Sequence, residues 1–136
     1  MNEFRCIGRF VSDPKLSTLT KADGKATYVT KFKLAVTDKF KKNNSNELNK
    51  RIAYIPFEAY DSGAEVICAN YQKGDPILIY ALVKSYRDKI DSTKDNIVFR
   101  VNHFEYLPYP RNTNPELTDV EEPDWIEQDE QITTKT

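Results

Sequence analysis

Apolar and polar residues alternate along several stretches of this chain, which is the pattern of β-strands with one buried face. The longest stretch covers residues 28–37, where one face carries Tyr28, Thr30, Phe32, Leu34 and Val36. A second covers residues 51–60, and its apolar face carries Ala53, Ile55, Phe57 and Ala59. Shorter patterns of the same kind cover residues 4–11, 76–86 and 97–107. Together these patterns predict five strands.

A single helix is predicted between the third and fourth strands. Ser62 and Glu65 have the spacing of a capping box, and Gly74 indicates the end of the helix. One buried helical stripe contains Ala64, Ile67, Cys68 and Tyr71. Polar residues 38–50 predict a flexible connection, and charged residues 87–96 predict a hairpin loop. Three strands, a helix and two strands are the element order of the OB-fold, so we expect an all-β, five-stranded Greek-key barrel with one short helix between strands 3 and 4.

The sign of the charge changes near residue 111. Residues 1–111 contain 19 Lys and Arg against 13 Asp and Glu, a net charge of about +6. Residues 112–136 contain one Lys against eight Asp and Glu, about −7, and few apolar residues. We therefore expect one folded domain over 1–111 and a disordered acidic tail over 112–136. A basic, aromatic-rich body of this kind suits a polyanionic ligand.

The composition argues against several classes of protein. No apolar run approaches the about 20 residues of a membrane span, so no membrane partner is expected. The N-terminus has no apolar signal region, and we therefore expect a cytoplasmic protein. Cys6, Cys68 and the single His103 do not make a disulfide framework or a zinc site. No cofactor is expected, and because no acid–base constellation is visible we do not expect an enzyme.

The residues opposite the predicted core suggest a surface for single-stranded nucleic acid. Such a strand exposes phosphates, which attract cations, and unpaired bases, which stack on aromatic rings. Tyr54 and Tyr60 are predicted to point away from the core, and lysines share the outer face of the neighbouring strand. The predicted interface comprises Lys31, Lys33, Phe40, Arg51, Tyr54, Tyr60, Lys84, Tyr86 and Arg87.

Other roles remain open for the aromatic members of this set. Tyr54 and Tyr60 also fit half-buried surface tyrosines. Phe40 also fits an anchor folded onto the barrel, and Tyr86 fits packing within the hairpin. Tyr28, by contrast, shares a face with apolar residues and is predicted to lie in the core.

The order and spacing of several motifs resemble those of the bacterial single-stranded DNA-binding (SSB) family. The resemblance begins with the segment 7–16, which reads IGRFVSDPKL, and extends over about residues 3–107. It continues through Gly24, Val29, Phe32, the run 34–36, Phe57, the pairs 64–65 and 73–74, and the run 77–82. The resemblance implies an OB-fold that binds single-stranded DNA, and Phe40 and Tyr54 stand where many members have stacking tryptophans. Tyr60 matches the family's third-strand aromatic residue, and Tyr86 is matched to the aromatic residue of the fourth strand.

The acidic tail departs from the family pattern. The run from Glu121 to Ile126 has the expected composition, but ten further residues follow it. A divergent member, for example one carried by a plasmid or a phage, would account for this. Trp125 and Ile126 among carboxylates are typical of a short docking motif, although an inert tail also fits them.

Two functions therefore remain open at this point. The first is sequence-tolerant binding of single-stranded DNA in replication, recombination or DNA transfer, with replication or recombination proteins as tail partners. The second is an OB-fold adaptor that mainly binds protein. The resemblance also implies a homo-oligomer.

Overall fold

A computed structural model describes residues 1–41 and 47–113 of the chain. These residues form six strands and one helix. In chain order the elements are β1 (Phe4–Phe10), β2 (Ser17–Thr20), β3 (Ala26–Lys41), β4 (Leu48–Tyr60), α1 (Asp61–Asn70), β5 (Pro76–Arg87) and β6 (Asp95–Tyr106). No helix in this part of the chain has the length and apolar character that crossing a bilayer requires.

The strands close into a barrel through β1. The sheet order is β1-β5-β6-β4-β3-β2, and β1 also pairs with β3 at Arg9 and Phe10. This second pairing joins the two sides of the sheet, because the first part of β1 is hydrogen-bonded to β5. The parallel pairing of β4 with β6 at Phe57 and Phe99 completes the OB-fold arrangement. The predicted all-β barrel, with one helix between its third and fourth barrel strands, is confirmed.

The core fills the barrel and the space beneath the helix. Its buried members come from four of the barrel strands, from α1 and from the residue that follows α1: Phe10, Phe32, Leu34, Phe57, Ala59, Ala64, Ile67, Tyr71, Ile77, Ile79 and Ala81. The aromatic rings pack closely, with Phe10 and Phe32 centroids 5.0 Å apart and Phe32 and Phe57 centroids 5.8 Å apart. Because the core takes alternate residues of each strand, the remaining residues are directed to the outside.

The prediction of a flexible connection over 38–50 is wrong at both of its ends. β3 continues to Lys41 and β4 begins at Leu48, and the two strands pair out to these residues. The sequence pattern did not reveal this extension. A two-stranded ribbon beyond the barrel has no buried face, so its residues show no alternation of apolar and polar side chains. Lys42 to Asn46 lie outside the described residues.

Two further local predictions need correction. The helix begins at Asp61 rather than after a Ser62 cap, and its N-cap residue, Tyr60, makes no side-chain capping bond. The Thr27 hydroxyl instead donates to the Asp61 carboxylate and ties the start of the helix to β3. Tyr28 is 43% exposed, whereas Thr27 and Val29 are buried. The alternation of buried and exposed residues in β3 shifts by one position here, because the adjacent residues Val29 and Thr30 are both buried. The helix α1 packs against this strand.

The short strand β2 was not predicted from the sequence pattern. All four of its residues are exposed, so it has no apolar face that could reveal it. It pairs with the start of β3 across a turn in which Gly24 has a φ of 82°, a conformation that favours glycine.

The segment after β6 is held against the barrel by a set of contacts that we call the C-terminal clamp. The Asn112 backbone N–H donates to the Gly74 carbonyl at 3.0 Å, and Arg9 Nη1 donates to the carbonyls of Gly74 and Pro110, each at 2.9 Å. Arg111 Nε donates to Asp75 Oδ1 at 2.6 Å. A Cβ at Gly74 would lie 2.2 Å from the Asn112 oxygen, so this position requires glycine. Gly74 therefore serves the clamp, since α1 ends earlier, at Asn70.

Candidate nucleic-acid interface

One continuous surface lies opposite the core on β3, β4, β6 and β5, and we call it the outer face. The strand registers place Lys31 beside Glu58, Glu58 beside Arg100, and Lys84 beside Val98. Directly paired residues project from the same side of a sheet, and alternate residues of one strand share that side. The outer face therefore carries Lys31, Lys33, Tyr54, Glu58, Tyr60, Lys84, Tyr86 and Arg100.

Four outer-face side chains meet in one cluster. Arg100 Nε and Nη2 each donate to Glu58 Oε1 at 3.3 Å, and Nη2 also donates to the Tyr86 hydroxyl at 2.7 Å. Arg100 Cζ lies 4.3 Å from the centroid of the Tyr60 ring, a cation–π distance. Arg100 thus brings together Tyr60 and Tyr86, two of the predicted interface residues, from different strands.

The cluster is only partly accessible to solvent. The Glu58 side chain is 8% exposed and the Arg100 side chain is 29% exposed, while Tyr86 keeps 45% of its surface. Burial raises the pKa of Tyr60, and the nearby Glu58 carboxylate acts in the same direction. Glu58 is the acidic member of the cluster, and Arg100 neutralises it within the fold.

Tyr54 occupies the outer face but is not open to solvent. It pairs with Ala35 of β3 and is 9% exposed. Its hydroxyl is buried and has no hydrogen-bond partner in the described structure, and burial raises the pKa of Tyr54. The expectation that Tyr54 offers a free ring is therefore corrected, because strand phase gives the direction of a side chain and not how deeply its neighbours cover it.

Phe40, Arg51 and Arg87 do not share the outer face. Phe40 and Arg51 have the strand phase of the core residues, but they lie beyond the barrel on the β3–β4 ribbon. Arg51 Cζ lies 4.3 Å from the Phe40 ring centroid, and Arg51 Nη2 lies 4.0 Å from Asp38 Oδ2. Arg87 is exposed and pairs with Asp95 at the end of β5. The nine predicted residues therefore divide into six on the outer face and three outside it.

Lys31 also borders a shallow depression at one end of the outer face. The other residues that line it are Ser12, Asp13, Lys15 and Lys73. The Lys73 backbone N–H donates to Asp13 Oδ1 at 2.7 Å, which fixes the loop before β5 beside the loop after β1. This juxtaposition extends the cationic surface beyond β3, the strand that carries Lys31 and Lys33.

Arg100 belongs to the cluster around Glu58 but was not among the residues predicted from the sequence. Its strand was identified, and Phe99 and Val101 on either side of it pack against the core. The alternation therefore indicated an outward cation at Arg100, but nothing in the sequence showed that Glu58 and Tyr60 lie beside it. That information depends on the parallel pairing of β4 with β6, which joins strands far apart in the chain. Trp125 and Ile126, the predicted partner-binding residues, lie outside the described residues.

The comparisons with known proteins agree with this architecture. The sequence model of the Single-strand binding protein family matches residues 1–107, and the chain belongs to this family. A comparison with curated protein sequences found no match.

Two solved structures illustrate the shared fold. A crystal structure of the wild-type single-stranded DNA binding protein from Thermus aquaticus superposes with a TM-score of 0.63 at 18% identity. A deletion mutant of that protein gives a TM-score of 0.64, also at 18% identity. Each match covers 79% of this chain and 50% of the other, so the chain spans half the length of these two proteins. At this level of identity the likeness establishes the fold alone.

Proposed function

We propose that this protein binds single-stranded DNA through its outer face with little sequence preference. The observation that carries the proposal is the continuous register that sets Lys31, Lys33 and Lys84 around Tyr60, Tyr86 and Arg100 on one surface. Lysines neutralise phosphates, and planar side chains stack on bases of any identity. Membership of the Single-strand binding protein family supports the same function. The protein acts by binding and not by catalysis.

Equilibrium binding to strands of equal length tests this proposal. Salt-titrated isotherms are measured on single-stranded DNA, single-stranded RNA and duplex DNA. We expect salt-sensitive binding to oligo-dT, quenching of tyrosine fluorescence, and much weaker binding to the duplex, whose base faces are closed. Equal affinity for duplex and single strand would contradict a stacking mechanism. Failure to bind oligo-dT, together with capture of a replication protein, would favour the alternative function of an adaptor.

Arg87, which is exposed at the end of β5, contributes a phosphate contact in this proposal, and Phe40 and Arg51 have a separate part. Phe40 and Arg51 contact each other on the part of the β3–β4 ribbon that extends beyond the barrel, where they can meet a strand that continues past the outer face. Tyr54 contributes stacking only if binding uncovers its ring. Variants with Ala at Phe40 or Arg51 should therefore weaken binding less than variants with Ala at Tyr60 or Tyr86, as measured by the same isotherms.

The biological setting forms the second part of the proposal. We propose that the protein protects single strands in the cytoplasm during replication, recombination or DNA transfer, and that Trp125 and Ile126 in the acidic tail recruit a partner protein from one of these processes. Pull-down with the full chain and with Trp125→Ala tests the tail, and equal capture by both would contradict this role.

We also propose that the protein forms a homo-oligomer. Membership of the Single-strand binding protein family supports this, and Ile7 on β1 leaves 51% of its surface exposed for contact between copies. Light scattering coupled to size-exclusion chromatography measures the mass in solution, and a monomer at all concentrations would contradict this part.

A further inference from the structure

We propose that Arg100 itself receives a base: one face of its guanidinium stacks on an unpaired base while the Tyr60 ring supports the other face. The inference rests on the proposed binding of single-stranded DNA and adds a contact residue to it. In this arrangement Tyr60 does not contact the base directly. Its ring supports the guanidinium that does. The result is a stack of base, guanidinium and phenol ring at the centre of the outer face.

The hydrogen bonds of Arg100 leave its faces available for stacking. The donors of a guanidinium lie in its plane. Glu58 accepts from Nε and Nη2, each at 3.3 Å, and the Tyr86 hydroxyl accepts from Nη2 at 2.7 Å. Arg100 Cζ lies over the Tyr60 ring, 4.3 Å from its centroid, so the ring packs against the guanidinium. The Arg100 side chain remains 29% exposed, so part of it is accessible to a ligand.

The buried Glu58 keeps Arg100 in this position when a nucleic acid binds. The Glu58 side chain is 8% exposed, and withdrawal of Arg100 toward a phosphate would leave a buried carboxylate without its partner. Such an uncompensated buried charge is strongly unfavourable. Arg100 therefore contributes planar stacking, whereas Lys31 and Lys33 contribute phosphate contacts. Arginine planes are established stacking partners of unpaired bases.

Two ligands separate the contribution of bases from that of phosphates. One is an oligo-dT strand, and the other is an abasic strand of equal length that has the same phosphates but no bases. Arg100→Lys retains the charge and can still pair with Glu58, but it lacks the planar face. We expect it to weaken oligo-dT binding about 5-fold to 150-fold, the range for one stacked base, and to leave binding to the abasic strand unchanged. The dependence of oligo-dT affinity on salt should also stay unchanged, because the same cations still neutralise the phosphates.

Arg5→Lys provides a matched control. Arg5 Cζ also lies over a tyrosine ring, 5.9 Å from the Tyr80 centroid, but its side chain is 63% exposed and its carboxylate neighbour, Glu3, is exposed as well. This variant should bind both ligands as the unaltered protein does. Thermal unfolding checks that each variant is folded. If Arg100→Lys is unfolded, the double variant Glu58→Gln with Arg100→Gln removes both charges together and allows the same comparison.

Three results would overturn the inference in distinguishable ways. Equal losses on oligo-dT and on the abasic strand would make Arg100 a phosphate contact or a purely structural residue. Unchanged binding of Arg100→Lys to both ligands would show that no base meets it. Failure of the unaltered protein to bind oligo-dT at all would refute the proposed function, and this inference with it.

Discussion

Tyr54 illustrates how strand phase and burial give separate information about a single residue. Its phase on β4 places it on the outer face, as the sequence indicates, yet it is 9% exposed and its hydroxyl has no partner in the described structure. A buried hydroxyl without a hydrogen bond opposes folding, because its hydration is lost without compensation. Tyr54 is therefore expected to affect stability more than its outward phase suggests.

Tyr54→Phe should leave the free energy of unfolding unchanged or raise it by up to about 1 kcal/mol, since only the unpaired hydroxyl is removed. Tyr54→Ala should lower it by about 2–4 kcal/mol, the cost of deleting a large buried side chain. Chemical denaturation of the two variants measures both values. A clear loss of stability in Tyr54→Phe would show that the hydroxyl is hydrogen-bonded after all.

Tyr60 and Tyr86 differ from Tyr54 because Arg100 links them to a buried carboxylate. The outward direction of Tyr60 and Tyr86 could be predicted from the local alternation on β4 and β5. Their contact with the same arginine could not be predicted, because it depends on which distant strands become neighbours in the barrel. Residue types and strand phases thus indicated most of the candidate interface, while burial and long-range pairing determined which members are accessible.

At the scale of the strand, β3 separates its roles by face. Phe32 and Leu34 enter the core, while Lys31 and Lys33 project from the outer face. A barrel strand with this division contributes both to folding and to an electrostatic surface, and the two functions can be altered independently.

Lys31→Ala combined with Lys33→Ala should flatten the dependence of log K on log salt concentration by about 1.4 for single-stranded DNA, or about 0.7 for each phosphate that is no longer neutralised. Lys21→Ala with Lys25→Ala is the matched control, since it removes the same charge at the β2–β3 turn, away from the outer face. The control should lower affinity slightly through the overall charge and leave the slope nearly unchanged. Equal flattening by both pairs would indicate a general charge effect.

The elements that the sequence predicted well are those with an apolar face toward the core. The barrel strands and the buried stripe of α1 belong to this group. The extension of the β3–β4 ribbon, the strand β2 and the C-terminal clamp lack such a face. Backbone pairing and polar contacts form them, and neither leaves a periodic apolar pattern in the sequence.

The clamp gives a prediction about pH. Burial alone would raise the pKa of Asp75, but hydrogen bonds from Arg111 and from the Gln72 backbone outweigh it and lower that pKa. The lowered pKa means that the stabilisation is present above the ordinary aspartate value of about 4 and is lost as the pH falls through the folded-state value. Asp75→Asn should therefore reduce the free energy of unfolding by about 1–2 kcal/mol at pH 7 and by progressively less in acid. Denaturation curves at several pH values measure this difference, and a difference that does not depend on pH would contradict the assignment.

At the scale of the whole molecule, the chain combines a body of about +6 with a tail of about −7. The clamp fixes the start of the tail beside the loop before β5, close to the depression lined by Lys15, Lys31 and Lys73. We therefore expect the acidic residues that follow the clamp to compete with phosphates for this cationic surface. Tethering gives such a competitor an effective concentration up to about the millimolar range.

Deletion of residues 114–136 preserves the clamp and should raise the affinity for oligo-dT, most strongly at low salt, where charges are least screened. A full-length variant with amides in place of the eight tail carboxylates should show the same gain, because it removes the charge and retains the length. Titrations at several salt concentrations test both proteins. A gain in the deletion variant alone would point to steric obstruction by the tail.

The most direct test of the outer face is photochemical cross-linking to oligo-dT that contains a photoreactive halogenated uracil, followed by mass spectrometry of the linked peptides. This measurement reports which side chains touch the bases of the bound strand. We predict that cross-links concentrate on Tyr86 and on Arg100, which lies between the base and Tyr60 in the proposed stack, and that they are lost when excess unlabelled oligo-dT is added. Cross-links confined to Tyr28 or Tyr109, which are exposed but do not belong to the outer face, would contradict the account.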